Sequence, residues 1–111
     1  MNTYEMELYE ELKETAKECD DLIKMIYYKK LPNQELKLRY KNLKISCRNR
    51  LSEIKRMSKP YNVDPKIYSR YIRNYSEAMD SGFTEPTNGN LEKMIHALEE
   101  ASYKFKKFLD E

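Results

Sequence analysis

Glycine is nearly missing from this chain of 111 residues: two occur, beside one histidine, two cysteines, one valine and no tryptophan. Two glycines leave almost no material for the backbone loops that cradle phosphates. One histidine cannot form a metal centre unless carboxylates or cysteines complete it. No Cys-x-x-Cys, His-x-x-x-His or Glu-x-x-His spacing occurs, so no metal and no other cofactor is expected. No run approaches the roughly 20 apolar residues of a membrane-spanning helix. The opening Met1-Asn2-Thr3-Tyr4-Glu5-Met6-Glu7 is acidic where a signal peptide is basic and then apolar. A cytoplasmic chain with no membrane partner is the expectation.

What is present is helical material. Ala, Glu, Lys, Leu and Arg make up nearly half of the chain, a share expected of helical bundles. Hydrophobic residues are 40% and include ten tyrosines, so the core must come from Leu, Ile and Met helped by tyrosine rings. Charged residues are 36%, but they alternate with apolar ones at helical spacing, which argues against disorder. The abundance of Lys, Asn, Tyr and Ile beside scarce Gly and Ala points to an A/T-rich genome, such as that of a low-GC bacterium or its phages.

Prolines and glycines divide the chain into four helical segments, about 3–30, 33–58, 65–81 and 91–109, within a single helical domain spanning 1–111. The first carries Tyr9, Leu12, Ala16, Cys19, Ile23 and Ile26 at spacings of three and four, and Leu31-Pro32-Asn33 stops it. The second carries Leu36, Tyr40, Leu43, Cys47, Leu51 and Ile54. Asp64 before Pro65 is an N-cap followed by a proline at the first helical position, opening a helix with Ile67, Tyr68, Tyr71, Ile72, Tyr75, Ala78 and Met79. Gly82 suits its end. Asn90 caps a fourth helix with Leu91, Met94, Ile95, Leu98, Ala101, Phe105, Phe108 and Leu109. The short first connection makes helices one and two antiparallel neighbours. The predicted fold is all-α, an antiparallel four-helix bundle built on a long N-terminal helical hairpin.

The groups able to carry chemistry read as structural. Cys19 and Cys47 fall on inner faces about one helical turn out of register, so two buried free thiols are expected in preference to a disulfide or redox switch. His96 projects away from the stripe of its helix together with Tyr103, as a solvated residue. The acidic pairs Glu10-Glu11, Asp20-Asp21 and Glu99-Glu100 read as solvated helix faces. No catalytic residue is assigned, and an enzyme is not expected.

Charge layout is the informative feature. Residues 1–30 hold 8 acidic and 5 basic side chains, residues 31–75 hold 3 and 12, and residues 76–111 hold 8 and 4. All six arginines fall in the basic middle. On the second helix Lys37, Lys41, Lys44, Arg48, Lys55 and Lys59 project within an arc of about 60° at 100° per residue. Either the acidic outer helices neutralise this strip internally, or it docks an acidic protein surface or nucleic-acid phosphates. Arg70 and Arg73 on the third helix join the same candidate surface. Leu38 and Ile45 point well away from Leu43 and Cys47, and Met6, Met25 and Tyr28 lie off the stripe of helix one. They either contact helices three and four or mark a homodimer seam or target-binding face. Phe83, in the loop before the fourth helix, either anchors a partner or folds back over the bundle end.

The function expected is that of a non-enzymatic helical interaction protein, of regulator or inhibitor type and phage- or mobile-element-encoded. It binds and modulates another protein through Lys37, Lys41, Lys44, Arg48, Lys55, Lys59, Arg70, Arg73, Leu38 and Ile45. The alternative is a nucleic-acid-binding accessory protein using the same basic residues.

Overall fold

The structure, a computed structural model, describes residues 3–56 and 63–107. Four helices fill them: α1 Thr3–Tyr27, α2 Asn33–Arg56, α3 Pro65–Ser81 and α4 Leu91–Lys107. Expectations that fall on Ser58, Lys59, Phe108 and Leu109 lie outside the described residues. Each helix neighbours the next in sequence, and α4 closes the ring on α1, while the diagonal pairs α1 with α3 and α2 with α4 touch least. The result is an all-α bundle 45 Å in its longest dimension.

The bundle is uneven. α1 packs mainly against α4 and only more loosely against α2, its hairpin partner. Small side chains explain the preference: Ala16 on α1 and Ala97, Ala101 and Ser102 on α4 are all buried, so the two backbones can approach closely. A polar clasp fixes them, with Ser102 Oγ donating to one oxygen of Asp20 at 2.7 Å and Lys106 Nζ to the other at 2.7 Å. Leu8, Leu12, Ala16, Cys19, Leu22 and Ile26 are buried, whereas Tyr9 and Ile23, placed by periodicity on the central stripe, sit half-buried at its edge.

Helix ends follow local chemistry. α1 stops at Tyr27, short of the Lys30 expected from the sequence. Leu31 precedes Pro32 and is therefore disfavoured in helical conformation, so the chain reverses earlier. Lys29 adopts φ 50°, its N–H donates to Ile26 O at 3.2 Å and the Lys30 N–H to Met25 O at 3.1 Å, the paired bonds of a Schellman closure. At α3, Asp64 Oδ1 accepts from the Lys66 N–H at 2.8 Å behind Pro65. Before α4, Asn90 Oδ1 accepts from the Glu92 N–H at 2.7 Å.

Gly82 ends α3, but its φ of −94° is open to any residue. Its need is space. A Cβ there would lie 2.5 Å from Ala78 O and 2.6 Å from Ala101 Cα. The left-handed residue is Phe83, with φ 51°. Phe83 folds back and is buried, its ring 5.8 Å from that of Tyr40, while the Tyr40 hydroxyl donates to Glu85 O at 2.8 Å. Phe83 is therefore a plug for the bundle end.

These two turns respond oppositely to substitution. Lys29→Gly relieves a left-handed side-chain residue and should raise stability by about 1 kcal/mol. Gly82→Ala forces α3 and α4 apart and should lower it by about 2 kcal/mol. Denaturant titration of the two variants checks both signs.

Candidate protein interface

The looseness of α1 against α2 leaves a seam between them, and α2 borders it with one flank while its other flank faces α3. The cations of α2 divide along the same line. On the α1 side Arg50 is engaged: its Nε meets Glu11 Oε1 at 2.8 Å and its Nη1 donates to Thr15 Oγ1 at 2.8 Å. Thr15 in turn donates to Glu11 O at 2.7 Å. Burial pushes the Glu11 carboxyl above its ordinary range, and the Arg50 guanidinium opposes that shift. Arg39 meets Glu35 at 3.5 Å.

On the opposite flank no carboxylate of the described residues neutralises the strip. Among the described residues, Lys37, Lys41, Lys44, Arg48 and Lys55 have no carboxylate within 4.0 Å. Lys41, Arg48 and Lys55 are exposed, and Lys37 and Lys44 are half-buried. The Lys44 ammonium is held below its ordinary pKa by its partial burial and then by the Arg48 charge one turn on. The outer helices share one ion pair of their own, Lys106 Nζ with Asp20 Oδ2 at 2.7 Å. Lys59 lies outside the described residues.

Leu38 and Ile45 project from the outward ridge of α2, 49% and 43% exposed. Neither is covered by α3 or α4. Leu38 also borders an open groove of about 480 Å³ along the α1–α2 seam, with Leu22, Met25 and Leu43 as its apolar lining and Glu18 and Asp21 on its α1 rim. Met25 thus belongs to the groove, while Met6 and Tyr28 are exposed.

The α3 arginines stand apart. Tyr68 O–H donates to Ile54 O at 3.1 Å, which turns the Tyr68 flank of α3 toward α2. Arg70 and Arg73 are rotated about 140° or more from Tyr68 at 100° per residue. Arg70 is half-buried and Arg73 exposed, but they do not extend the strip of α2 into one surface.

The remaining reactive groups are poorly placed for chemistry. Cys19 and Cys47 are free and buried. Burial pushes the Cys47 thiol up to about 11 and raises Cys19 as well, so both are protonated at neutral pH and weak nucleophiles. His96 is exposed on α4. Among the described residues no group of three His, Cys, Asp or Glu side chains converges to hold a metal, and no helix is long and apolar enough to cross a membrane. The polar interior was not visible to hydrophobic periodicity: Glu5, Thr15, Asn74 and Ser102 are buried, and the Asn74 amide nitrogen has no hydrogen-bond partner among the described residues. No family model, characterised protein or solved structure matches the chain.

Two outcomes separate structural groups from surface ones. Arg50→Ala strands a partly buried carboxylate and should cost about 2 kcal/mol, whereas Lys41→Ala and Arg48→Ala should each stay within about 0.5 kcal/mol of wild type. Thermal melts decide this. The raised Cys47 pKa makes the neutral thiol the form that suits the folded state. Its stabilisation is complete below the ordinary value of 9.0 and disappears as pH rises toward about 11, a loss of about 3 kcal/mol. Denaturation midpoints should fall across that window, and Cys47→Ala should remove its own share of the fall, the remainder coming from groups such as Cys19, which burial also raises.

Proposed function

We propose that this chain is a non-enzymatic interaction protein of regulator or inhibitor type, which binds an acidic protein surface through the outer face of α2. The observation that carries the reading is the division of α2's cations. Arg39 and Arg50 are matched by carboxylates within the chain, while Lys37, Lys41, Lys44, Arg48 and Lys55 are not. The unmatched row runs beside the exposed Leu38 and Ile45, and a charged row flanking an apolar ridge is the composition of a protein interface, with its apolar centre and polar rim.

Nucleic acid is the weaker partner for this face. Glu7, Glu11, Glu14, Glu18 and Asp21 follow one another at spacings of four and three along the flank of α1 that borders α2. They stand about one helix diameter, roughly 10 Å, from the cations. A phosphate backbone laid along α2 would be drawn by one row and repelled by the other within a Debye length. An acidic protein surface of limited width avoids that conflict.

Immobilised chain, incubated with extract of the encoding organism with and without nuclease, should retain one protein in both cases. A variant carrying Lys41→Glu, Lys44→Glu, Arg48→Glu and Lys55→Glu should lose it. Equal retention by the variant removes α2 from the reading, and loss on nuclease treatment alone transfers the face to nucleic acid.

A further inference from the structure

The α2 face needs a partner with an apolar seam beside a row of carboxylates, and the chain itself carries one. We infer that the acidic surface recognised by α2 is the α1–α2 face of a second copy, in a two-fold dimer whose axis runs parallel to α2. This rests on the reading of α2 as a docking surface, and it makes a second copy the competitor of any outside acidic partner.

Symmetry selects the arrangement. Viewed from outside, the outer face has the acids of α1 on one side, the ridge of Leu38 and Ile45 with the adjoining groove in the middle, and the cations of α2 on the other. A two-fold axis lying across α2 would set acids on acids and cations on cations, which like charges oppose. A two-fold axis along α2 exchanges the sides. It lays the cations of each copy over the acids of the other and runs the two α2 helices parallel, with Leu38 of each copy entering the groove lined by Leu22, Met25 and Leu43 of the other and Ile45 standing beyond the groove's end.

The register agrees residue by residue. An axis parallel to α2 changes no residue's height along it. Within one copy the Arg50–Glu11 bridge at 2.8 Å sets α1 against α2 to within the reach of an arginine side chain. Stepping along both antiparallel helices from that bridge brings Asp21 level with Lys41, Glu18 with Lys44, Glu14 with Arg48 and Glu7 with Lys55, to within about one residue rise of 1.5 Å. Inside one chain these partners lie on opposite flanks of α2 and cannot meet. Across the two-fold axis they face each other.

The carboxylates are available for this. Among the described residues Glu7, Glu14 and Glu18 have no cation within 4.0 Å, and Asp21 has only the exposed Lys17 at 3.3 Å. The dimension suffices too. Helix α2, with 24 residues, is about 36 Å long, and a face two helices wide covers about 700 Å² per copy, close to the roughly 800 Å² per partner of a specific complex. Asn42 and Asn49, seven residues apart on the groove side of α2, come level with their own counterparts, where parallel helices pair asparagines.

Sedimentation equilibrium at low ionic strength should give a mass about twice 13.4 kDa, with the dissociation constant rising at least about tenfold in high salt. The variants Lys44→Glu/Arg48→Glu and Glu14→Lys/Glu18→Lys should each be monomeric with wild-type helical circular dichroism, and mixing them in equal amounts should restore the doubled mass, because both charge rows then oppose again. Asn49→Cys should cross-link to itself under mild oxidation, since the native thiols are buried; an antiparallel pair centred on Asn42 would hold two copies of position 49 roughly 20 Å apart. A monomeric wild-type chain, or folded variants that stay monomeric when mixed, would overturn the dimer while leaving α2's docking role to be judged by partner retention. Dimerisation that both charge-reversal variants keep would overturn the charge register.

Discussion

Close approach of α4 to α1 sets the asymmetry on which the rest of this molecule depends. Ala16 faces a helix whose buried residues include Ala97, Ala101 and Ser102, and the chain enters that helix past Gly82, whose missing side chain lets it lie against Ala101. Backbones that close leave little room for large side chains between them, so the bulky residues gather on the other side: Tyr40, Tyr71, Tyr75 and Phe105 are fully buried, with Tyr75 and Phe105 rings edge to face at 4.9 Å. Large side chains hold α2 further out. The α1–α2 seam is therefore open, and α2 presents more of its circumference to solvent than a central helix would.

That outward position governs what the charges of α2 do. Arg50 reaches across the seam to Glu11 and Thr15, where partial burial makes the pair sensitive to loss of either member. One flank away, the lysines face no acid among the described residues. The same helix thus uses Arg39 and Arg50 as struts to carboxylates of the chain and, among the described residues, leaves Lys37, Lys41, Lys44, Arg48 and Lys55 as an unmatched row.

Much of this was legible in the residues. The four helices, the Asp64 and Asn90 caps and most of the inner stripes of α2 and α4 follow from spacing and capping chemistry, because each depends on neighbours in sequence. The inner face of α1 was less legible. Tyr9 and Ile23 fit the period as well as Leu8 and Leu22 do: the first two lie on the flank that Ala16 and Asp20 turn toward α4, the other two on the flank that Thr15 turns toward α2, and long-range packing decides how deeply each is buried. Lys29 and Phe83 illustrate the same limit at turns: glycine is the usual sign of a left-handed residue, yet here the proline restriction on Leu31 and the burial of a phenyl ring impose that conformation on residues with large side chains. The strip on α2 was visible as a row of charges, but its freedom from neutralisation depended on which flank of α2 met the acids of α1.

The free row is not neutral for the isolated chain. Lys37 with Lys41, Lys41 with Lys44, and Lys44 with Arg48 are like charges three or four residues apart on a helix, each opposing helix formation by about 0.2–0.5 kcal/mol, and the Lys44 pKa is lowered by partial burial first and by the Arg48 charge second. Replacing one member of each pair by glutamate would turn the same spacings into attractions without touching the core. Under the proposed reading, the carboxylates that this helix lacks come from the docked surface. Charge that is unfavourable within one molecule and favourable across an interface biases the equilibrium toward the complex twice over, by destabilising the separated state and by stabilising the joined one.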